Sequence, residues 1–277
     1  MKIFISADIE GVAGVVSPAQ TVPAGFEYER AREWMTAEVN AACEGAIAGG
    51  ADHIIVADSH GNGQSLLIDK LPKDVEVIRN WPRPLGMMQG VDEDGVQGAM
   101  LLGYHTGAHH IDGVLAHTSA GLLFTELRIN GSPASETTTN AFIAGHFGVP
   151  IIFASGDDSY VRHAKESLHS ETVTVETKVY KGRYSAKSLT PDKACAEIRR
   201  KAEEAMGKIG HCQPIVAASP VVFEADFQRH IPAEILSYLP CVERTGPLTI
   251  RFEAADMVAV SKFLSFVTSI MFNEQLP

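Results

Sequence analysis

Short apolar runs alternate with helical stretches along this chain, and that alternation limits the possible folds more than any other feature. Lys2–Ala7 is an apolar run followed directly by acidic residues, which is typical of a buried first strand. Tyr28–Ala48 has the spacing of apolar and small residues that a long helix needs, and two glycines end it. Strands that alternate with helices predict an α/β fold, with a mostly parallel sheet flanked by helices and a smaller α+β C-terminal portion.

The same pattern continues to the end of the chain. Further strands are predicted at His53–Ala57, Val75–Ile78, Ala99–Gly103, Glu126–Asn130, Pro150–Ala154, Val173–Val179, Pro220–Ala225 and Leu248–Phe252. Further helices are predicted at Ser135–Phe147, Tyr160–Leu168, Thr190–Met206 and Ala255–Met271. The segment 207–219 is the most plausible seam. We therefore expect an α/β domain over residues 1–206 and an α+β portion over residues 207–277, with the alternative that the second is integral to the first.

The charge of the chain limits its partners. Its 277 residues carry a formal net charge of −11. An acidic surface repels phosphate backbones and anionic lipids, so we expect neither nucleic acid nor a membrane as a partner. No stretch approaches the roughly 20 apolar residues of a membrane span. A small neutral or zwitterionic substrate is compatible with this surface.

The N-terminus and the cysteines indicate a compartment. Asp8 and Glu10 fall where a secretory signal needs uninterrupted apolar residues. The chain has four scattered cysteines, which favours reduced thiols over a disulfide framework. We expect a cytoplasmic protein.

Polar side chains follow three of the predicted strands at the point where each ends. Asp8 and Glu10 come after the first strand, Asp58 and His60 after the second, and His105 after a later one. In parallel α/β sheets, ligands bind outside the carboxyl ends of the strands. Because these ends meet at one edge of the sheet, residues far apart in sequence can converge there.

The residue types at this edge indicate a metal site. Imidazole and carboxylate together suit zinc or another first-row divalent ion, and an excess of carboxylate favours two ions. Asp8 and Glu10 are two residues apart, which puts both side chains on one face of an extended strand. A single strand-end Asp is usually a helix cap or a loop acceptor. Three such clusters at three strand ends make convergence on a metal the better interpretation.

Two further residues have less specific signals. Glu136 opens a predicted helix, where the helix dipole by itself favours an acidic residue. His117 lies in a loop rich in Gly, Ala and Ser with no evident packing role, and loop histidines of this kind are mildly enriched for function.

The order of these motifs resembles the D-aminopeptidases of the dipeptide-transport-operon type, a family of binuclear zinc peptidases. The opening Asp8-Ile9-Glu10-Gly11-Val12-Ala13-Gly14 resembles the family's Asp-x-Glu-Gly-x-x-Gly. Further counterparts follow in order along essentially the whole chain: Asp58-Ser59-His60, Leu102-Gly103-Tyr104-His105, Ala116-His117-Thr118-Ser119, Glu136 with Asn140-Ala141, Gly156-Asp157-Asp158, and Arg244-Thr245-Gly246 with Phe252.

The resemblance implies an activity and a division of roles. It implies a metallo-aminopeptidase that removes the N-terminal residue of short peptides, of the D-alanine type, with two zinc ions per subunit. Its metal ligands would be Asp8, Glu10, His60, His105 and Glu136. It implies that His117 is the catalytic histidine, and that residues 1–206 form the catalytic, metal-binding domain.

The resemblance also implies an assembly, and the chain departs from the family at one place. The family forms self-compartmentalising homodecamers of two stacked five-fold rings. Hydroxyl residues surround Glu136 in Ser135-Glu136-Thr137-Thr138-Thr139, where the family more usually has small and apolar ones. The extra hydroxyl groups would reshape the substrate pocket.

Two other functions remain open at this point. A dinuclear hydrolase could act on another amide or on a phosphoester, and a non-catalytic protein could use metal as a structural element while it binds peptides. The carboxylate that would hold the substrate α-amine is also open, with Asp58, Asp157 and Asp158 as candidates.

Overall fold

The computed structural model describes residues 1–270, and its elements follow the predicted order. Its strands are β1 Lys2–Ala7, β2 His53–Asp58, β3 Val75–Ile78, β4 Val96–Tyr104, β5 Phe124–Ile129, β6 Ser132–Pro133, β7 Ile151–Asp157, β8 Val173–Gly182, β9 Ser185–Ser188, β10 Val221–Phe227, β11 Val242–Arg244 and β12 Thr249–Ala254. Its α-helices are α1 Tyr28–Ala48, α2 Glu136–His146, α3 Asp158–Ser167, α4 Pro191–Met206, α5 His230–Leu236 and α6 Met257–Ser269. Short 3₁₀ turns occupy Pro18–Gln20, Ile68–Lys70 and Gly86–Met88.

The larger sheet has the strand order β3-β2-β1-β4-β7-β8-β9. Its strands are parallel except for β9, which pairs antiparallel with β8 at one edge. The predicted fold class, a mostly parallel sheet flanked by helices, is confirmed.

The central strand β1 is buried on both faces. Ile3 and Ile5 pack into a core shared with α1 and α4. Phe4, between them in sequence, faces the opposite side and packs into a core shared with α6 and the smaller sheet. This alternation follows from the two-residue period of a strand, and it leaves only the ends of β1 open to a ligand.

The smaller sheet is antiparallel and has the order β11-β12-β10-β5-β6. β10 lies between β5 and β12, so strands from both sides of residue 206 share hydrogen bonds in one sheet. The division at residue 206 stays a prediction. We propose the alternative, in which the C-terminal portion is integral to one domain.

Side-chain caps explain where the observed helices depart from their predicted bounds. α3 begins at Asp158 rather than Tyr160 because the Asp157 carboxylate accepts from the Tyr160 amide and caps the helix. α6 begins at Met257 because Asp256 caps it in the same way. The predicted end of that helix at Met271 lies outside the described residues. The bounds of α1 are as predicted.

Two further observations concern the whole described chain. No helix within residues 1–270 is long and apolar enough to span a membrane. All four cysteines are unpaired.

Candidate metal centre

The carboxyl ends of three adjacent strands, β2, β1 and β4, form the floor of a buried polar cluster. The strand order brings together Asp8 and Glu10, His60 and His105, the residues that follow these strands. The sequence predicted these residues at one edge of a parallel sheet. The structure confirms that juxtaposition.

Two glycines allow the ends of β1 and β4 to approach so closely. The amide of Gly11 donates to the carbonyl of Gly103 at 2.6 Å. A Cβ atom on Gly11 would lie 2.1 Å from the carbonyl oxygen of Tyr104, and one on Gly103 would lie 2.3 Å from that of Asp8. Gly103 also has a φ of +67°, which side chains rarely adopt. Glycine is therefore required after Glu10 in the opening motif because no larger side chain fits there.

Asp8 lies between two histidines. Its Oδ1 is 3.1 Å from His60 Nδ1, and its Oδ2 is 3.5 Å from His105 Nε2. Glu10 Oε2 approaches the same His60 nitrogen at 3.1 Å. Glu136 Oε2 approaches the same His105 nitrogen at 3.5 Å. The cluster thus has two halves that share the Asp8 carboxylate.

Glu136 reaches this cluster from the first residue of α2. The Ser135 hydroxyl accepts from the Thr138 amide and caps the helix, which fixes where Glu136 begins. Glu136 Oε1 accepts from the Ser119 amide at 2.7 Å, and Oε2 faces His105. A purely structural helix-start carboxylate would face solvent, whereas this one is buried among imidazoles.

His117 completes the cluster from the loop after β4. Its Nε2 lies 3.9 Å from Glu136 Oε1, and its ring packs against that of His105. Leu115 and Ser119, two residues before and after it, have φ values of 57° and 58°. Such left-handed backbone at non-glycine residues is strained and is common at functional sites.

Each of the three histidines is oriented by a backbone carbonyl. A carbonyl only accepts, so the ring nitrogen that faces it carries the proton. The three donations are His60 Nε2–H to Thr21 O at 2.6 Å, His105 Nδ1–H to Thr106 O at 2.9 Å, and His117 Nδ1–H to Leu115 O at 2.8 Å. The other nitrogen of each ring faces the carboxylates and is the atom that a metal ion would bind in place of a proton. Metal-binding histidines are oriented in this way.

The cluster fits a cation because its inward-facing atoms are mostly acceptors. Glu10 Oε2 and His105 Nε2 are buried and have no hydrogen-bond partner. Buried acceptors without donors are rare and need an explanation such as a bound ion. Ligand atoms of Asp8, Glu10 and His105 lie within 4.8 Å of one another, as do those of His105, His117 and Glu136.

The electrostatics of the cluster also favour a bound cation. Burial and the neighbouring Glu10 charge raise the pKa of Asp8 to about 8. Burial alone would lower the pKa of His105, but Glu136 and Asp8 raise it to about 10. Protons are held at these groups because three buried carboxylates accumulate negative charge, and divalent cations would neutralise that charge equally well.

The cluster opens into a cavity of about 650 Å³. Asp8, His60, His117 and Glu136 line one part of it. The remaining wall is largely apolar or hydroxylic, and it includes Leu85, Met87, Leu127, Ile143, Ser261, Leu264, Ser265, Thr268 and Ser269. Five of these lie on α6, a contribution that the sequence did not predict.

The three carboxylates considered for the substrate α-amine have structural roles. Asp58 Oδ2 accepts from the Leu66 amide. Asp157 accepts from the amides of Tyr160 and Val114. Asp158 accepts from the Tyr180 amide. None of the three lines the cavity.

The fold and the cluster together define a class of protein: an α/β metallohydrolase with its metal site at the carboxyl edge of the sheet. The family model described as D-aminopeptidase, peptidase family M55, matches residues 1–266. The chain belongs to this family, and the family predicted from the sequence motifs is confirmed.

Two relatives extend the comparison to whole chains. A D-aminopeptidase of Bacillus subtilis (strain 168) is 30% identical over 273 residues, which cover 98% of this chain and 97% of the relative. The solved structure described as the Zn-dependent D-aminopeptidase DppA from Bacillus subtilis, a self-compartmentalizing protease, superposes with a TM-score of 0.89 at 29% identity. That match covers 98% of this chain and 100% of the other.

Proposed function

We propose that this protein is a zinc-dependent aminopeptidase that hydrolyses the N-terminal peptide bond of short peptides, with a preference for D-residues. The observation that carries the proposal is the convergence of unpartnered, buried acceptor atoms from Asp8, Glu10, His105 and their neighbours at the end of a cavity. Membership of the D-aminopeptidase family supports the peptide bond as the target.

The ligand set divides naturally between two ions. His60 and Glu10 would hold one, and His105 and Glu136 the other, with one Asp8 oxygen facing each half. When bound, two zinc ions would polarise the scissile carbonyl and activate a water molecule for attack.

His117 would move the proton. Its Nδ1–H is fixed by Leu115 O, so Nε2 is the atom free to accept a proton from the attacking water and deliver it to the leaving amine. Burial and the neighbouring His105 lower the pKa of His117, which keeps the ring neutral and able to accept a proton near pH 7. Water thus adds to the carbonyl carbon, the C–N bond breaks, and the amine leaves protonated.

The cavity wall would orient the peptide and exclude water. Apolar side chains such as Leu127, Ile143 and Leu264 suit an aliphatic substrate side chain. This lining and the D-aminopeptidase family together support a peptide over a phosphoester as the substrate.

The test is a substrate panel with zinc-loaded protein. We expect hydrolysis of D-Ala-D-Ala in excess of L-Ala-L-Ala, and no hydrolysis of a phosphomonoester. Cleavage of the phosphomonoester alone would establish the alternative hydrolase. Tight binding of D-Ala-D-Ala without cleavage would establish a peptide-binding protein instead.

We also propose that the chain forms a homo-oligomer, because the similar Bacillus subtilis protein is described as self-compartmentalizing. The decameric double ring and the cytoplasmic location stay predictions. Sedimentation equilibrium of the full chain tests the first, with a mass ten times that of the chain as the expected result and a monomer as the contradictory one.

A further inference from the structure

Lys178 on β8 is a fully buried lysine whose ammonium group binds only backbone carbonyls. Its Nζ donates to the carbonyl oxygens of Glu10, Val12 and Val15, the second at 2.9 Å. An ammonium group has three N–H donors, so these three acceptors use all of them. All three acceptors belong to the loop that follows β1 and carries Glu10.

A buried charge of this kind is expensive unless it is fully hydrogen-bonded. A neutral side chain could fill the same space at lower cost in desolvation. The loop therefore needs three N–H donors that converge on its carbonyl groups. A lysine supplies them and an apolar residue does not.

Neighbouring groups restrain the same loop from other directions. The Thr177 hydroxyl donates to the Gly11 carbonyl, and Glu38 Oε1 accepts from the Ala13 amide at 2.9 Å. All of these contacts, like those of Lys178, are made to the backbone. The Glu10 carboxylate remains free to face His60.

A β-bulge makes this arrangement possible. The register between β7 and β8 shifts after Gly156, so that Gly156 pairs with Glu176 and Asp157 with Lys178. Thr177 is thereby left between two pairs. As a result Thr177 and Lys178, although adjacent in sequence, are both buried and both reach the loop after β1.

We propose that Lys178 is a positioning residue for the metal centre: it holds the 10–15 backbone so that Glu10 stays aimed at His60. Lys178 does not line the cavity and acts through Glu10. The inference rests on the proposed function in one respect, the role of Glu10 as a metal ligand. Loss of groups that orient metal ligands typically weakens metal affinity by about 10–100-fold.

The test compares Lys178→Met with Lys2→Met in zinc-free protein. Lys2 lies at the opposite end of β1 and pairs with Glu93 at 2.6 Å, so its variant loses the same functional group far from the cluster. Zinc affinity is measured by competition with a chromophoric chelator, the Co²⁺ absorption spectrum reports ligand geometry, and circular dichroism reports folding. We expect folded Lys178→Met to bind zinc roughly 10–100-fold more weakly, with an altered Co²⁺ spectrum. Lys2→Met should match the parent.

A second pair of variants decides the question where Lys178→Met fails to fold. Thr177→Val removes only the hydroxyl that donates to Gly11, and we expect severalfold weaker zinc binding. Thr172→Val is its control, because the Thr172 hydroxyl donates to the Ile151 carbonyl at the opposite end of β7.

The outcomes separate this inference from the proposed function. A folded Lys178→Met with unchanged zinc affinity and Co²⁺ spectrum overturns the inference alone, as does a Thr177→Val that matches Thr172→Val when Lys178→Met is unfolded. A parent protein that binds no zinc overturns the proposed function and this inference with it.

Discussion

The imidazole rings of His105 and His117 stack with their centroids 4.1 Å apart and their planes 10° from parallel. Both rings donate Nδ1–H to a backbone carbonyl, and both present Nε2 towards Glu136. Two stacked imidazolium cations would repel each other, so at most one of the two rings is expected to be an imidazolium. Without a metal the cationic ring is His105, whose pKa is raised, while the pKa of His117 is lowered. A metal ion at His105 Nε2 would replace that proton, and His117 would then be the ring that takes up and releases a proton.

Replacement of His117 tests this division directly. His117→Ala should keep its zinc content and lose about 10²–10⁴-fold in kcat, because only the proton transfer is removed. His146→Ala, which removes an exposed histidine at the end of α2, is the control and should match the parent. Unchanged turnover in His117→Ala would exclude this residue from the mechanism.

Replacement of His60 should have a different signature. His60→Ala removes the nitrogen that faces both Asp8 and Glu10, so we expect zinc content and activity to fall together. His53→Ala is a matched control, because His53 lies at the other end of the same strand and pairs with Glu76. Elemental analysis beside a peptidase assay measures both quantities, and full zinc occupancy in His60→Ala would contradict the ligand assignment.

The α6 wall of the cavity should control which side chains fit. Ser265→Phe narrows the cavity, so we expect KM for a D-Leu dipeptide to rise roughly 10-fold while zinc content stays unchanged. Lys262→Phe adds the same ring on the exposed side of α6 and should have no effect on KM. Equal KM values in the two variants would remove α6 from substrate selection.

His163 should contribute to the loss of stability at mildly acidic pH. Burial, with the nearby His110 and His109, lowers the pKa of His163 to about 4, against about 6.5 in the unfolded chain. The unfolded state therefore binds the proton first, and stability falls as the pH drops from about 6.5 towards 4. From pH 7 to pH 5 the loss at this group is about 2 kcal/mol.

Urea unfolding of His163→Gln and His146→Gln at both pH values measures this contribution. Since other groups titrate in the same range, the quantity compared between variants is the change in the free energy of unfolding from pH 7 to pH 5. His163→Gln should lose about 2 kcal/mol less than the parent between pH 7 and pH 5, and His146→Gln should lose as much as the parent. A parent-like change in His163→Gln would show that this histidine is not the source.

The sequence predicted part of the site because parallel strands end at one edge. That rule alone predicted that Asp8, Glu10, His60 and His105 lie close together. The sequence around Glu136 is that of an ordinary helix start, and the sequence around His117 is that of an ordinary loop. Neither indicates a functional residue by itself, so only the order of the motifs along the chain identified the two. Their approach depends on the turn at Ser119 and on the docking of α2, neither of which has a sequence signal.

Long-range packing explains what the sequence could not reveal. Lys178 follows the alternating Val173, Val175 and Thr177, so a regular strand would place it on the opposite face from these residues. The bulge beside Gly156 buries it instead. The α6 wall likewise depends on how a helix near the end of the chain packs across the sheet.

The most direct test of the metal centre is the zinc stoichiometry of the purified protein. Zinc-free protein is dialysed against excess zinc and then buffer, and the bound metal is measured per chain. We expect two ions in the parent and fewer in Asp8→Asn, because the Asp8 carboxylate faces both halves of the cluster. Parent protein without stoichiometric zinc, or Asp8→Asn with two ions, would contradict this expectation.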